Sequence, residues 1–190
     1  EVKALADELG VIYIARDNNL HAKAGNMNNA LEQTDGEFVI IFDADHVPAR
    51  HFIKRLIGYF RDEELAMVQT PHAFYNFDTF QGVVDYDKGR FWDEGQLFYK
   101  VLQPGKNRTN SVIFAGSAAM FRRRALKEVG YIAVQTITED MHTGMKIAAK
   151  AVSRHPVRTI GYPNCCEIWS GTRQTLRALR PQDGKSSPSG

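Results

Sequence analysis

The sequence predicts an α/β fold built on an open, mostly parallel sheet with helices on both faces. Three observations carry this. Helix-like and strand-like segments alternate over the first 70 residues. The strand-like runs FVIIF (38–42) and LAMVQT (65–70) are continuously apolar, as strands covered on both faces are. The links between them are long enough for right-handed crossovers. At 190 residues, 43% of them hydrophobic, the chain can bury one sizeable core and is too short for two full domains.

Taken in order, VKALADELG (2–10) has apolar residues at helical spacing and stops at Gly10, and VIYIA (11–15) is β-branched and aromatic enough for a strand. KAGNMNNALEQ sets Met27, Ala30 and Leu31 on one side of a helix before the turn residues Asp35 and Gly36. Strand 38–42 follows, then a helix with Phe52, Leu56 and Phe60 on its apolar face, then strand 65–70. From Phe77 to Asn107 the periodicity blurs, as in a helical or looped segment lining a cleft. SVIFAGSAAMFRR (111–123) reads as a strand, a tight Ala115-Gly116-Ser117 turn and a short strand. Arg122, Arg123 and Arg124 read as the solvated entry to a brief helix that ends at Gly130. A last helix opens at Thr138, Glu139 and Asp140, where Thr138 or Asp140 can cap it.

Composition excludes several classes. With 24 Lys+Arg against 22 Asp+Glu, the net charge of +2 supplies no field for a nucleic acid or a membrane surface, and no nucleic-acid partner is expected. Cys165 and Cys166 are adjacent, so they form neither a spaced metal-ligand set nor a disulfide framework, and a reducing compartment is expected. No apolar run approaches the roughly 20 residues of a membrane helix, and the first residues lack the shape of a signal peptide. No G-x-G-x-x-G follows a strand, and DGKSS has Leu179 where a P-loop needs its first glycine.

The chemistry-bearing feature is FVIIFDADH, a buried-type strand running into Asp43 and Asp45. Ligands of open α/β sheets bind beyond the carboxyl ends of the strands. Two acids spaced by two on extended chain face the same side, so both can approach one cation or one phosphate-bearing ligand. The pair alone fits equally well as solvated loop acids or as a cap for the helix starting near Pro48.

Five ordered segments narrow the choice: HAKAGNMNNAL, TDGEFVIIFDADHVP, VQTPHAFYN, FAGSAAMFRR and TITEDMHTGMK. Together they closely resemble the processive family 2 glycosyltransferases, the group of the bacterial cellulose synthase catalytic domain. The resemblance implies a GT-A-like (Rossmann-like) fold, N-terminally truncated, with a partial transferase domain over 1–150 and an atypical, poorly ordered tail over 151–190. It implies transfer of glucose from UDP-glucose to the 4-hydroxyl of a growing β-1,4-glucan with inversion. By that similarity Asp43 and Asp45 hold Mg²⁺, with Mn²⁺ as the alternative, because the ligands are hard oxygens. Asp140 is the general base and Glu139 supports it. His21, Lys23 and Asn26 belong to a nucleotide-contacting loop, with Lys23 against the uridine or diphosphate. His46 reaches the substrate or serves as a hydrogen-bonded structural residue. Gln69, Thr70, Pro71 and His72 shape the cleft or pack. Gly116 and Ser117 lie at the acceptor end, with Ala115 where the family usually has Cys. Tyr75, Phe91, Trp92, Phe98 and Tyr99 offer flat surfaces for sugar rings, Trp92 foremost, and Asn76 and Glu94 are acceptor contacts.

The implied partners are UDP-glucose, the growing glucan chain and a membrane or periplasmic export subunit, at the cytoplasmic face of a bacterial inner membrane. Family members also carry an earlier strand with an Asp-Asp-Gly turn and a later Gln-x-x-Arg-Trp segment; the nearest match to the latter is Gln174-Thr175-Leu176-Arg177-Ala178. From about Lys150 the family pattern is lost, and an out-of-frame or artificial end is expected there. Two alternatives share this chemistry: a nucleotide-sugar-binding fragment without turnover, and a related synthase using UDP-N-acetylglucosamine. A glycoside hydrolase fits poorly, since Asp43 and Asp45 are too close on one segment to flank a glycosidic bond.

Overall fold

The structure, a computed structural model, describes residues 1–74, 94–153, 158–161 and 168–170. Helix α1 (Val2–Leu9) is followed by α2 (Ala22–Glu32), β1 (Phe38–Ile41), β2 (His46–Pro48), α3 (Phe52–Leu56), a 3-10 turn (Ile57–Arg61), β3 (Leu65–Gln69) and β4 (His72–Phe74). A run of short helical turns spans 94–109, including a π-helical stretch at Phe98–Leu102. Then come β5 (Ala119–Arg122), α4 (Arg123–Glu128), α5 (Glu139–Ser153), β6 (Arg158–Gly161) and β7 (Ile168–Ser170).

The larger sheet has the order β1-β5-β3-β6. β6 lies parallel to β3, and β5 is antiparallel to both β1 and β3, so three strands share a direction and β5 runs against them. The reversal places the site. Ala119, where β5 begins, is paired with Ile41 at the end of β1 and with Gln69 at the end of β3. Residues 115–118 therefore arrive at the same sheet edge that 42–46 and 70–72 leave. A second sheet, β2-β7-β4, holds β2 and β4 on either side of β7 and starts them with His46 and His72.

Helices cover both faces, as the continuous apolar runs require. On one face Ala24 and Leu31 of α2, Leu126 of α4 and Ile147 of α5 pack on Ile41, Met67 and Phe121, together with Val112 and Phe114. On the other, Phe52, Leu56 and Phe60 pack on Leu65, Val68 and Met120. Phe114 meets Phe121 edge-on, ring centroids 4.9 Å apart, a geometry worth about 0.5–1.5 kcal/mol beyond burial.

Three expectations are corrected. Val11–Ala15 forms no strand; Ile12 is 82% exposed, because β-propensity is realised only against a neighbouring strand, and no described strand edge is paired with this segment. Residues 112–115 are likewise outside any ladder. The side-chain amide of Gln103 takes the place of a partner strand there, accepting the Ile113 N–H at 3.0 Å and donating to its carbonyl at 2.6 Å. Arg122 and Arg123 are not solvated: they are 6% and 7% exposed. Arg122 donates to the carbonyls of Phe60 (2.7 Å), Leu65 (3.2 Å) and Asp62 (3.2 Å), and its guanidinium lies 5.2 and 5.5 Å from the ring centroids of Phe38 and Phe60. Arg123 donates to the carbonyls of Leu31 (2.8 Å), Thr34 (2.9 Å) and Gly36, capping the carbonyl-rich end of α2. Arg124 alone of the three is exposed.

Candidate active site

Asp43 leaves β1 at the sheet edge just described. Its backbone N–H donates to Ser117 Oγ at 2.9 Å, and the same hydroxyl lies 2.7 Å from His46 Nδ1. Its carboxylate is ion-paired with Lys23, from the first turn of α2, and the Lys23 ammonium also donates to the Gly116 carbonyl at 2.9 Å. The two side chains are 38% and 40% exposed, so the pair is open to solvent and its attraction is screened to roughly 0–1 kcal/mol. The ammonium is therefore cheap to redirect toward an arriving anion.

The Gly116–Ser117 turn is held from every side. Gln69, 1% exposed, accepts the Ala115 N–H at 2.9 Å and donates to the Ser117 carbonyl at 3.0 Å. Ala118 N–H donates to the Ile41 carbonyl at 2.7 Å, and the Thr70 hydroxyl donates to the Ala118 carbonyl at 2.7 Å. His72 Nε2 is 3.1 Å from the Ser117 carbonyl. Gln69, Thr70 and His72 thus fix this turn.

Asp140 reaches the turn from the start of α5. Its Oδ1 accepts the Met141 N–H at 2.7 Å. Its Oδ2 is only 3.0 Å from where a Cβ on Gly116 would stand, and Gly116 has φ +79°, a conformation that favours glycine. Two residues set the height of α5. Thr143, fully buried, donates to the Glu139 carbonyl at 2.6 Å and accepts the Ala133 N–H at 2.9 Å. Gly144 lets the helix approach so closely that a Cβ there would stand 3.1 Å from the Phe114 backbone nitrogen.

The remaining expected residues fall around this centre. Asp45 is exposed, two residues beyond Asp43. Glu139 and His21 share with Lys23 the lining of an adjoining cavity of about 560 Å³. Asn26 is taken up by Arg16, whose Nε donates to its Oδ1 at 2.5 Å, and Arg16 also donates to the Ala22 carbonyl at 2.8 Å. This staple packs against Gly25, whose lack of a side chain it requires. Arg16, Gly144 and Thr143 were not singled out in the sequence; Thr143 and Gly144 lie within the segment TITEDMHTGMK, and nothing marks Arg16. Tyr75, Asn76, Phe91 and Trp92, Cys165 and Cys166, and residues 174–178 lie outside the described residues, as does the side chain of Glu94. Burial pushes the His72 imidazole below its ordinary value, and burial with the charge of Asp140 raises the Tyr99 phenol.

A family model described as Glycosyl transferase family 2 matches residues 1–130. The chain belongs to glycosyl transferase family 2. This family 2 chain is 50% identical over 141 residues to the cellulose synthase catalytic subunit (UDP-forming) of Pseudomonas fluorescens (strain SBW25), covering 74% of this chain and 19% of that protein. It is 47% identical over 148 residues to the corresponding subunit of Xanthomonas axonopodis pv. citri (strain 306), covering 77% and 20%. The chain thus spans about a fifth of the length of these curated relatives. Among solved structures it superposes on the mannosyltransferase PcManGT of Pyrobaculum calidifontis, solved in complex with GDP-Man and Mn²⁺, with TM-score 0.63 and 21% identity over 96% of this chain and 44% of that one. It superposes on S. aureus TarS in complex with UDP-GlcNAc with TM-score 0.58 and 15% identity, over 94% and 48%. The family 2 fold expected here, GT-A-like with an open sheet, is the one observed.

Proposed function

We propose that this chain carries the donor-binding and acceptor-activating centre of a bacterial cellulose synthase catalytic subunit, which moves glucose from UDP-glucose to the 4-hydroxyl of a growing β-1,4-glucan with inversion. The observation that supports it most is the convergence of Lys23, Asp43 and Asp140 on one turn: Lys23 donates to Asp43 and to Gly116, and Asp140 lies against Gly116. One turn thus has a cation and an acid on its donor side and a second acid within van der Waals reach.

In this reading Lys23 leaves its solvent-screened partner to meet the donor diphosphate. Asp140 accepts the proton of the acceptor hydroxyl as that oxygen attacks the anomeric carbon; the bond from that carbon to the diphosphate breaks, and UDP departs with the electron pair. Glu139 positions the first turn of α5 through its carbonyl, to which Thr143 donates at 2.6 Å. Asp43 and Asp45 supply hard carboxylate oxygens, the donor type a divalent cation takes. Among the described residues no group of three or more His, Cys, Asp or Glu side chains is placed to hold a metal, so substrate phosphates would have to complete the sphere. Asp43 and Asp45 would hold it, and when bound it would supply Lewis-acid stabilisation of the leaving diphosphate. Mn²⁺ fits the same oxygens.

No helix among the described residues is long and apolar enough to cross a membrane. From the resemblance to cellulose synthases we place the parent protein at the cytoplasmic face of the inner membrane, with the glucan chain and an export subunit as partners. Calorimetry with UDP and Mg²⁺ tests the binding half: affinity is expected to need the metal and to be lost in Asp43→Asn. UDP release from UDP-glucose tests the rest: Asp140→Asn is expected to abolish release while keeping UDP affinity. No release from either chain favours a binding fragment over a transferase, and release that is equal in the variant removes Asp140 from the role of base.

A further inference from the structure

Behind the Gly116–Ser117 turn lies a pair of half-buried polar residues, His72 and Tyr99, and the transferase reading gives Tyr99 no role. Tyr99 Oη is 3.0 Å from His72 Nδ1, and His72 Nε2 is 3.1 Å from the Ser117 carbonyl. The rings are stacked at a tilt, centroids 4.9 Å apart, and the His72 ring also meets His46 edge-on at 5.0 Å. We propose that Tyr99 and His72 are positioning residues for the transfer reaction: a one-way hydrogen-bond relay, Tyr99 to His72 to the Ser117 carbonyl, that fixes the turn on which Lys23, Asp43 and Asp140 meet. This inference rests on the transferase reading for its consequence, and on the hydrogen-bond geometry with the burial of both rings for its existence.

Donor and acceptor chemistry sets the direction. A carbonyl only accepts, so His72 must carry a proton on Nε2. Burial disfavours the imidazolium, so Nδ1 is left with a lone pair and must accept. Its partner is the Tyr99 hydroxyl, which burial and the charge of Asp140 keep protonated and able to donate. Each link therefore has a single satisfactory proton arrangement, and that arrangement selects one tautomer of His72.

The relay is anchored at both ends. Tyr99 lies in the π-helical stretch Phe98–Leu102, a geometry enriched at functional sites, and the next residue beyond that stretch, Gln103, is fastened to the Ile113 backbone on both sides. At the far end, the Ser117 carbonyl also accepts from Gln69, and the Ser117 hydroxyl ties to Asp43 and His46. A pair present only to fill space would be served by apolar rings without the desolvation cost of three polar atoms. Instead the polar atoms are matched to one another and to the carbonyl next to Gly116, against which Asp140 rests.

The test uses the full chain. In long-range ¹⁵N NMR spectra the His72 ring is expected as a neutral imidazole protonated on Nε2, and Tyr99→Phe is expected to admit the other tautomer. UDP affinity with Mg²⁺ is expected to stay within about threefold in His72→Gln, whose amide restores the donor to Ser117, and to fall about tenfold in His72→Phe, as for one lost hydrogen bond to a buried acceptor. Tyr99→Phe is expected to slow UDP release at saturating UDP-glucose about tenfold with KM within about twofold, the pattern of an interaction that matters in the transition state. A proton on Nδ1 in the unsubstituted chain, or equal losses in His72→Gln and His72→Phe, overturns the relay. If the unsubstituted chain releases no UDP, the transferase reading fails, while the ring proton, read without ligand, still judges the relay.

Discussion

Gly116→Ala is the sharpest perturbation of the proposed centre. The substitution forces a β-carbon into a residue at φ +79°, at roughly 1–2 kcal/mol for an L-residue in the left-handed region. The new carbon would stand 3.0 Å from Asp140 Oδ2, about half an ångström inside ordinary contact. The obstructing atom is the end of a side chain, so Asp140 yields by rotating away rather than by unfolding the turn. For a chain of this size the strain corresponds to a melting shift of roughly 2–8 °C. Displacement of a catalytic group by 1 Å costs on the order of a hundredfold, so about half that shift predicts roughly a tenfold slower UDP release. The carbonyl of residue 116 is kept, so Lys23 retains its acceptor and UDP affinity is expected to hold within about threefold. Gly58→Ala, where nothing lies within 4 Å of the new carbon, is the control for glycine replacement as such. Release at the parental rate from a folded Gly116→Ala chain would refute the placement of Asp140 at the reacting centre.

Gly144→Ala gains about 1 kcal/mol of helix propensity but drives a β-carbon to 3.1 Å from the Phe114 nitrogen, which is backbone and cannot give way; α5 shifts outward, and UDP release is expected to fall severalfold with little change in melting temperature. Arg122→Met removes the donor to three carbonyls, two of them in buried contacts, and is expected to cost about 3 kcal/mol in urea unfolding, against under 1 kcal/mol for the exposed Arg124→Met. Folded His72 binds a proton less readily than the unfolded chain, whose value is 6.5, so the unfolded state takes up more protons below that pH. Stability is thus full above about pH 6.5 and falls as pH is lowered through the window beneath it. Urea midpoints at several pH values are expected to show this loss in the parent and a smaller one in His72→Gln.

Strands β1 and β3 were legible because both are continuous apolar runs, and a strand buried on two faces has little other way to be written. Helix α2 was legible from spacing, α5 from the start residues Thr138, Glu139 and Asp140, and the ends at Gly10 and Gly130 from residues that adopt positive φ, +64° and +77°. The direction of β5 was not, since an apolar run reads the same either way; only its pairing with Ile41 and Gln69 reveals it. Arg122 and Arg123 show the same limit. Three consecutive arginines look solvated until the carbonyls of α2 and of residues 60–65 are seen beside them. At the site, Asp43 and Asp140 were legible as acids at element ends. What holds them was not: His72 and Tyr99 are 27 residues apart, and Gly144 carries no side chain to announce its contact.

The most direct measurement of the account is a crystal structure of the chain with UDP and Mg²⁺. The diphosphate is expected beside Lys23 and Asp43, with the Asp140 carboxylate facing the same cleft across Gly116. A nucleotide bound away from the Gly116–Ser117 turn, with the Lys23–Asp43 pair undisturbed, would contradict it.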